Sequence, residues 1–207
     1  MRRHEEQILR ALANDVRVLS LTQVARTWWS DTKWGRSRAK ASMTELDASN
    51  WLQIHRSLAR PVVELHQPLL SWSPQDETPD FWDLSRTLHR RAAKAASMTS
   101  FVFASARTVA MFGRGRAPSV KLTQMTHDLH VAEVYLWYRT NGLSARNWIS
   151  EDRLPRDWPL RERPDATLTN DEGEIQRAVE YGGDYPPSRL EALHEGLSSI
   201  NLKYEIW

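Results

Sequence analysis

Residues 163–185 read RPDATLTNDEGEIQRAVEYGGDY, and their pattern is that of two strands joined by a tight hairpin. Ala166 to Thr169 alternates small or apolar residues with polar ones, the period of two that marks a half-buried strand. Asp171-Glu172-Gly173 supplies the turn, because glycine takes positive φ without steric penalty. Ile175, Ala178 and Val179 carry the return strand to Glu180. Asp165 therefore opens one strand and Glu180 closes the next, which sets two carboxylates at one end of a sheet. Carboxylates are the hard oxygen ligands that Mg²⁺ prefers, and an ion held there could polarise a phosphate and activate water.

The composition bounds what surrounds this hairpin. The 207 residues suffice for one large or two small domains. Hydrophobic residues make up 41% and charged residues 26%, ordinary values for a globular chain. The sequence has no cysteine, which excludes disulfides and thiolate zinc sites and suits a reducing compartment. The opening MRRHEEQILR lacks a leader's apolar stretch, and no run approaches a membrane span. A soluble, cytoplasmic protein with no membrane partner is expected. The net charge of +2 is unevenly spread, with 15 Lys and Arg against 11 Asp and Glu in residues 1–98. A basic N-terminal segment suggests a module that contacts nucleic acid, followed by a domain with another task.

The chain before the hairpin supports that division. Glu5 to Ala13 has helical periodicity, and Asn14-Asp15 ends it. Ser20 can cap a second helix, with Gln23 in the capping-box position. After a turn at 31–35, a third helix buries Ala39, Met43 and Leu46. Its other face shows Arg36, Arg38 and Lys40, with Lys33 just ahead. Strands are expected at 52–57 and 69–72, around a proline-bearing loop. Three short helices and a hairpin make the layout of a winged helix-turn-helix, whose third helix enters the major groove N-terminal residues first. Lys33, Arg36, Arg38 and Lys40 sit where that geometry needs charge, and Arg56 and Arg60 where a wing meets phosphate. The competing reading is a small helical domain with a solvated charged face. Double-stranded DNA is the expected partner.

Residues 73–79, SPQDETP, read as a linker, and a helix from Asp80 to about Ala96 reads as a connector or the arm of a homodimer. A β-like segment follows at 100–104, then a basic loop at 113–118. Leu122 to Tyr138 is a helix on which His127, His130 and Glu133 share a face, a spacing compatible with a metal but unspecific. A short strand at 147–150 precedes the hairpin. Pro186-Pro187 launches a helix over 188–197, and 202–207 ends the chain as a strand. These signals divide the chain into a DNA-binding domain at 1–75, a linker and connector helix at 76–98, and a third segment at 99–207. The fold class is α+β.

Pro164-Asp165 followed by Glu180 at the end of the next strand resembles the core of the PD-(D/E)xK nuclease superfamily. The helix, three strands, helix and strand expected from Leu122 onward follow the order of the restriction-endonuclease-like α/β domain. That resemblance implies Mg²⁺ held by Asp165 and Glu180, with Glu133 as a third acid. It also implies a Lys two residues after the second acid, where this sequence has Gly182; Lys203 is the candidate replacement. The whole chain resembles the replication-relaxation proteins of plasmids and other mobile elements, through the helix start His127-Asp128-Leu129, the Arg163-Pro164-Asp165-Ala166 strand and the Glu180 strand end. The implied function is DNA binding in replication or regulation, with a catalytically silent nuclease-like domain. The alternatives are a Mg²⁺-dependent endonuclease, and an interaction module using Trp148, Tyr181, Tyr185 and Tyr204.

Overall fold

The computed structural model describes residues 1–115, 120–142 and 147–207; the end of the basic loop expected at 113–118 lies outside them. The elements run α1 (Arg3–Asn14), β1 (Leu19–Ser20), α2 (Leu21–Trp28), α3 (Lys33–Ala48), β2 (Leu52–Ala59), β3 (Leu70–Trp72) and α4 (Phe81–Ala92). They continue β4 (Ser97–Ala104), α5 (Ala106–Phe112), α6 (Met125–Thr140), β5 (Trp148–Ser150), β6 (Ala166–Thr169), β7 (Ile175–Glu180), α7 (Pro187–Ser199) and β8 (Lys203–Ile206). The class is α+β. Both units are discontinuous in sequence: the first is Met1–Val63 with Ala96–Gly142, the second Glu64–Ala95 with Leu143–Trp207.

In the first unit a three-stranded antiparallel sheet has the order β1-β4-β2. Ser20 caps α2 by accepting from the Gln23 amide at 3.1 Å, and the Gln23 side chain accepts from the Ser20 amide at 2.9 Å. This is the reciprocal box that the sequence predicts. Thr32 caps α3, so that helix begins at Lys33, inside the stretch 31–35 expected to be a turn. A Cβ at Gly35 would collide with the Ser30 carbonyl, and glycine is what lets α3 start hard against the preceding turn. Ala39, Met43 and Leu46 are buried as expected.

Two expectations fail here for reasons of strand pairing and packing. The hairpin between 52–57 and 69–72 does not form. All eight residues of β2 pair instead with β4, from Leu52↔Ala104 to Ala59↔Ser97. The three-residue β3 lies in the other sheet, where Trp72 stacks on Tyr204 at 5.4 Å. The loop between them carries Pro61 and Pro68, which lack the amide that a ladder needs. Helix α6, expected in the C-terminal domain, belongs to the first unit. Its Met125 and Leu129 join Val18, Ala59 and Phe101 in one buried cluster.

The second unit is built on a five-stranded sheet of order β3-β8-β7-β6-β5. Strands β5, β6 and β7 form an antiparallel meander, β8 runs parallel to β7, and β3 closes the edge antiparallel. The β6–β7 turn has Gly173 at φ +87°, the conformation that the turn composition demands. One sheet face packs on α4 and α7 through Phe81, Leu84, Leu88, Ala178, Leu190 and Ile206. Helix α4 is therefore part of this core, and the 76–98 stretch is not a free connector.

Glu5 ties α1 to α3 by accepting from the Ser42 hydroxyl at 2.7 Å, and it also accepts from the Arg2 amide at 2.6 Å. Burial pushes its carboxyl up, but those two hydrogen bonds and the Arg2 charge outweigh it and hold the group below its ordinary 4.5. A depressed carboxyl contributes stability that is present above the unfolded value and lost as pH falls through the folded one. Glu5→Gln should therefore cost about 1 kcal/mol at neutral pH, the difference between a charged and a neutral acceptor. The gap between variant and wild type should close as pH drops below 4.5 in thermal melts. A gap independent of pH would remove Glu5 as the cause.

Candidate functional sites

The first site is the acidic corner at the end of β6 and β7. Ala166 pairs with Val179, so Asp165 and Glu180 are the next residues outward on adjacent strands, at one end of the sheet as the sequence pattern requires. Asp165 Oδ2 accepts from the Tyr181 amide at 2.8 Å, and Glu180 Oε2 from the Asp165 amide at 3.3 Å. Glu180 Oε1 accepts from the Tyr185 hydroxyl at 2.8 Å. Glu180 is buried. Burial, and then the charges of Glu180 and Asp165, push the Tyr185 phenol up from its ordinary value, so it stays a neutral donor. Arg189 lies over the Tyr185 ring at 4.4 Å and 3.9 Å from Glu162. Beside the corner is a cavity of about 210 Å³, walled by Leu160, Pro164, Leu193 and Leu197, with Glu180 and Arg189 at its polar side.

The other residues expected to complete a nuclease site are engaged elsewhere. Glu133 lies in the first unit, clasped by Arg26 Nη2 at 2.7 and 2.6 Å and by Gln23 Nε2 at 3.1 Å. It is a buried structural anion that pins α6 to α2. Lys203 pairs in register with Arg177, whereas Glu180 pairs with Ile206. Three strand residues, about 10 Å, separate them, and side chains three apart point to opposite faces. Lys203 therefore does not stand in for the missing Lys. His130 Nδ1 is 2.6 Å from the Thr126 carbonyl, and its Nε2 accepts from the Val63 amide at 3.4 Å, so it braces the backbone. Among the described residues no three His, Asp or Glu side chains gather to hold a metal ion. In the corner both Glu180 oxygens and one Asp165 oxygen accept hydrogen bonds from neutral donors.

Gly182, where the nuclease pattern places Lys, has no room for a side chain. Its Cβ would stand 2.7 and 2.9 Å from the Leu88 methyl carbons and 3.0 Å from Ile206 Cγ2. The position faces the core under α4. Arg91, which is not among the expected site residues, reaches Gly182 from α4. Its Nη2 donates to the Gly182 carbonyl at 2.7 Å and to the Trp207 carbonyl, and its guanidinium lies 4.5 Å from the Tyr181 ring centre. It closes the end of the sheet by binding carbonyls.

The second site is the exposed face of α3. Lys33, Arg36, Arg38 and Lys40 are all exposed. No acid lies in the first turn of α3 and no base in the last, where Glu45 and Asp47 sit instead. The charges run against the helix macrodipole, which favours carboxylates at the N-terminus and cations at the C-terminus by about 0.3–1 kcal/mol each. Arg36 is paired with Asp31 at 2.6 Å. Trp34, absent from the expected site, is 64% exposed, with the Arg38 guanidinium 5.3 Å from its ring centre. Its position off the stripe of Ala39, Met43 and Leu46 is the sequence signal that finds it. Arg56 is exposed on β2, and Arg60 is half-buried, its amide donating to Thr126 Oγ1 at 3.0 Å.

No protein-family model, curated protein or solved structure matches the chain. Among the described residues no helix is long and apolar enough to cross a membrane.

Gly182→Lys should lower stability by about 1–3 kcal/mol, the usual result of overfilling a packed core. It should create no DNA-cleaving activity in Mg²⁺, as read by thermal melts and plasmid nicking. A stable variant that nicks DNA would show that position 182 faces an open cleft.

Proposed function

We propose that this protein binds double-stranded DNA through the N-terminal half of α3, and that its second unit is a PD-(D/E)xK-like scaffold without nuclease competence. The observation that carries the proposal is the reversed charge of α3. Four exposed cations lie in its first eight residues, where the helix's own field disfavours them. A phosphate docked against that end converts the conflict into attraction, since helix N-termini and cations both bind anions. The element order supports the reading, because helix, strand, two helices and two strands with a β1-β4-β2 sheet is the layout of a winged helix-turn-helix.

In that arrangement α3 enters the major groove and its cations neutralise phosphates, while Arg56 lies on a strand beside the wing position. The β2–β4 pair takes the place of the wing, with residues 60–96 between its strands. The second unit supports the scaffold reading through its meander with a parallel fourth strand and its Asp165–Glu180 corner. The absence of a Lys at 182, the distance of Lys203 and the commitment of Glu133 to Arg26 speak against catalysis. The resemblance to replication-relaxation proteins supplies the setting, DNA replication or regulation on a mobile element.

Arg36→Ala, Arg38→Ala and Lys40→Ala together should weaken duplex binding and flatten its salt dependence. Each lost phosphate contact removes about 0.9 from the slope of log K against log salt. Anisotropy titrations over a salt series read both effects, and an unchanged slope would withdraw α3 from the interface. Wild-type protein should leave supercoiled plasmid intact in Mg²⁺ and Mn²⁺. Nicking that Asp165→Ala abolishes would make the second unit a nuclease.

A further inference from the structure

We infer that Trp34 and Arg38 act as one reading unit that recognises a thymine near a guanine in the major groove. This rests on the DNA-binding reading of α3 and names what that helix selects. Trp34 is 64% exposed in the first turn of α3, although an indole normally hides most of its large apolar surface. Nothing in the first unit's core uses it, since the buried stripe of α3 is Gly35, Ala39, Ser42, Met43 and Leu46. Its ring is held by Arg38, one helical turn on, at 5.3 Å. The Thr32 cap and the tight fit of Gly35 against Ser30 fix the turn from which Trp34 projects. The backbone that carries the pair is therefore fixed before any partner arrives, which lowers the ordering cost of binding.

The two side chains offer complementary chemistry. A guanidinium matches the O6 and N7 acceptors of guanine in a bidentate contact, and an apolar side chain contacts the C5-methyl that only thymine presents. Residues at i and i+4 are about 6 Å apart along a helix, so the contacts fall within about two base-pair steps of each other. The surrounding cations Lys33, Arg36 and Lys40 complement the phosphates on either side. An acidic protein partner would also meet those cations, but it has no C5-methyl and no O6/N7 acceptor pair, and the base substitutions below separate the two.

Selection of wild-type protein on a random duplex library should enrich a motif containing a thymine within about two base pairs of a guanine. In the selected duplex, uracil in place of that thymine removes only the methyl group. Wild-type affinity should fall about fourfold, the effect of losing one buried methyl-sized group. Trp34→Ala should bind the thymine and uracil duplexes equally, and Trp34→Phe should keep the preference. 7-Deazaguanine, which lacks N7, should weaken the wild type but not Arg38→Ala. Duplex binding with no methyl effect, or a methyl effect that survives Trp34→Ala, overturns this inference and leaves the DNA-binding reading standing. A protein that binds no duplex at all overturns both. If Trp34→Ala changes only the sedimentation of the protein, the indole serves an interface between copies and this inference fails.

Discussion

Everything else in the architecture depends on the ladder between β2 and β4. Eight consecutive register pairs join them, and antiparallel pairing brings Ala59 and Ser97 side by side. The stretch between them thus leaves and re-enters the first unit at one point. Closing a longer loop costs little, about 0.6 kcal/mol for each doubling of its length, so the sheet tolerates an insertion that does independent structural work. That insertion delivers β3, the edge strand, and α4, the helix whose Phe81, Leu84 and Leu88 cover the second sheet. Without the β2–β4 ladder the first sheet keeps only the two-residue pairing of β1 with β4.

The buried carboxylates of both units follow one rule. Glu5 is held by Ser42 and the Arg2 amide, Glu133 by Arg26 and Gln23, Glu180 by Tyr185 and the Asp165 amide, and Glu205 by Arg177 and the Trp207 indole. A charge taken from water must be paired or hydrogen-bonded, and removing one partner leaves a costly orphan. Acids that a local pattern offers as ligands are, in this fold, joints between elements. The cations of α3 behave oppositely: they stay in water and oppose the helix's own field. That contrast separates the charges that hold the molecule together from those left facing solvent.

Local chemistry was legible in the sequence, and long-range pairing was not. The Ser20–Gln23 box, the strands flanking Gly173 and the meeting of Asp165 with Glu180 all follow from turn chemistry and a period of two. The partner of β2 does not, because the β3 and β4 segments both read as strands and only tertiary packing chooses between them. A period of two also cannot give register, which decides that Lys203 lies beside Arg177 and not Glu180. The missing Lys at 182 is visible in the sequence, but its physical reason, the packing of Leu88, comes from a helix nearly a hundred residues earlier. Helix α6 was found correctly and assigned to the wrong neighbours, since a helix buried around much of its surface carries no stripe that points to one partner.

The interleaving of the two units sets the order in which a growing chain can complete them. Every strand of the first sheet has been made by Ala104, and α6 follows by Thr140. Strand β3 must wait for β8, since Leu70 pairs with Ile206. At about 5–20 residues per second, that wait is on the order of ten seconds. Throughout it Trp72 and the apolar side of α4 have no sheet to cover. A ribosome stalled once residue 142 has emerged would hold a finished first unit and a sticky, half-built second one. The burden of the shared architecture therefore falls on synthesis, and chaperones that shield apolar surface would act on the segment 64–95.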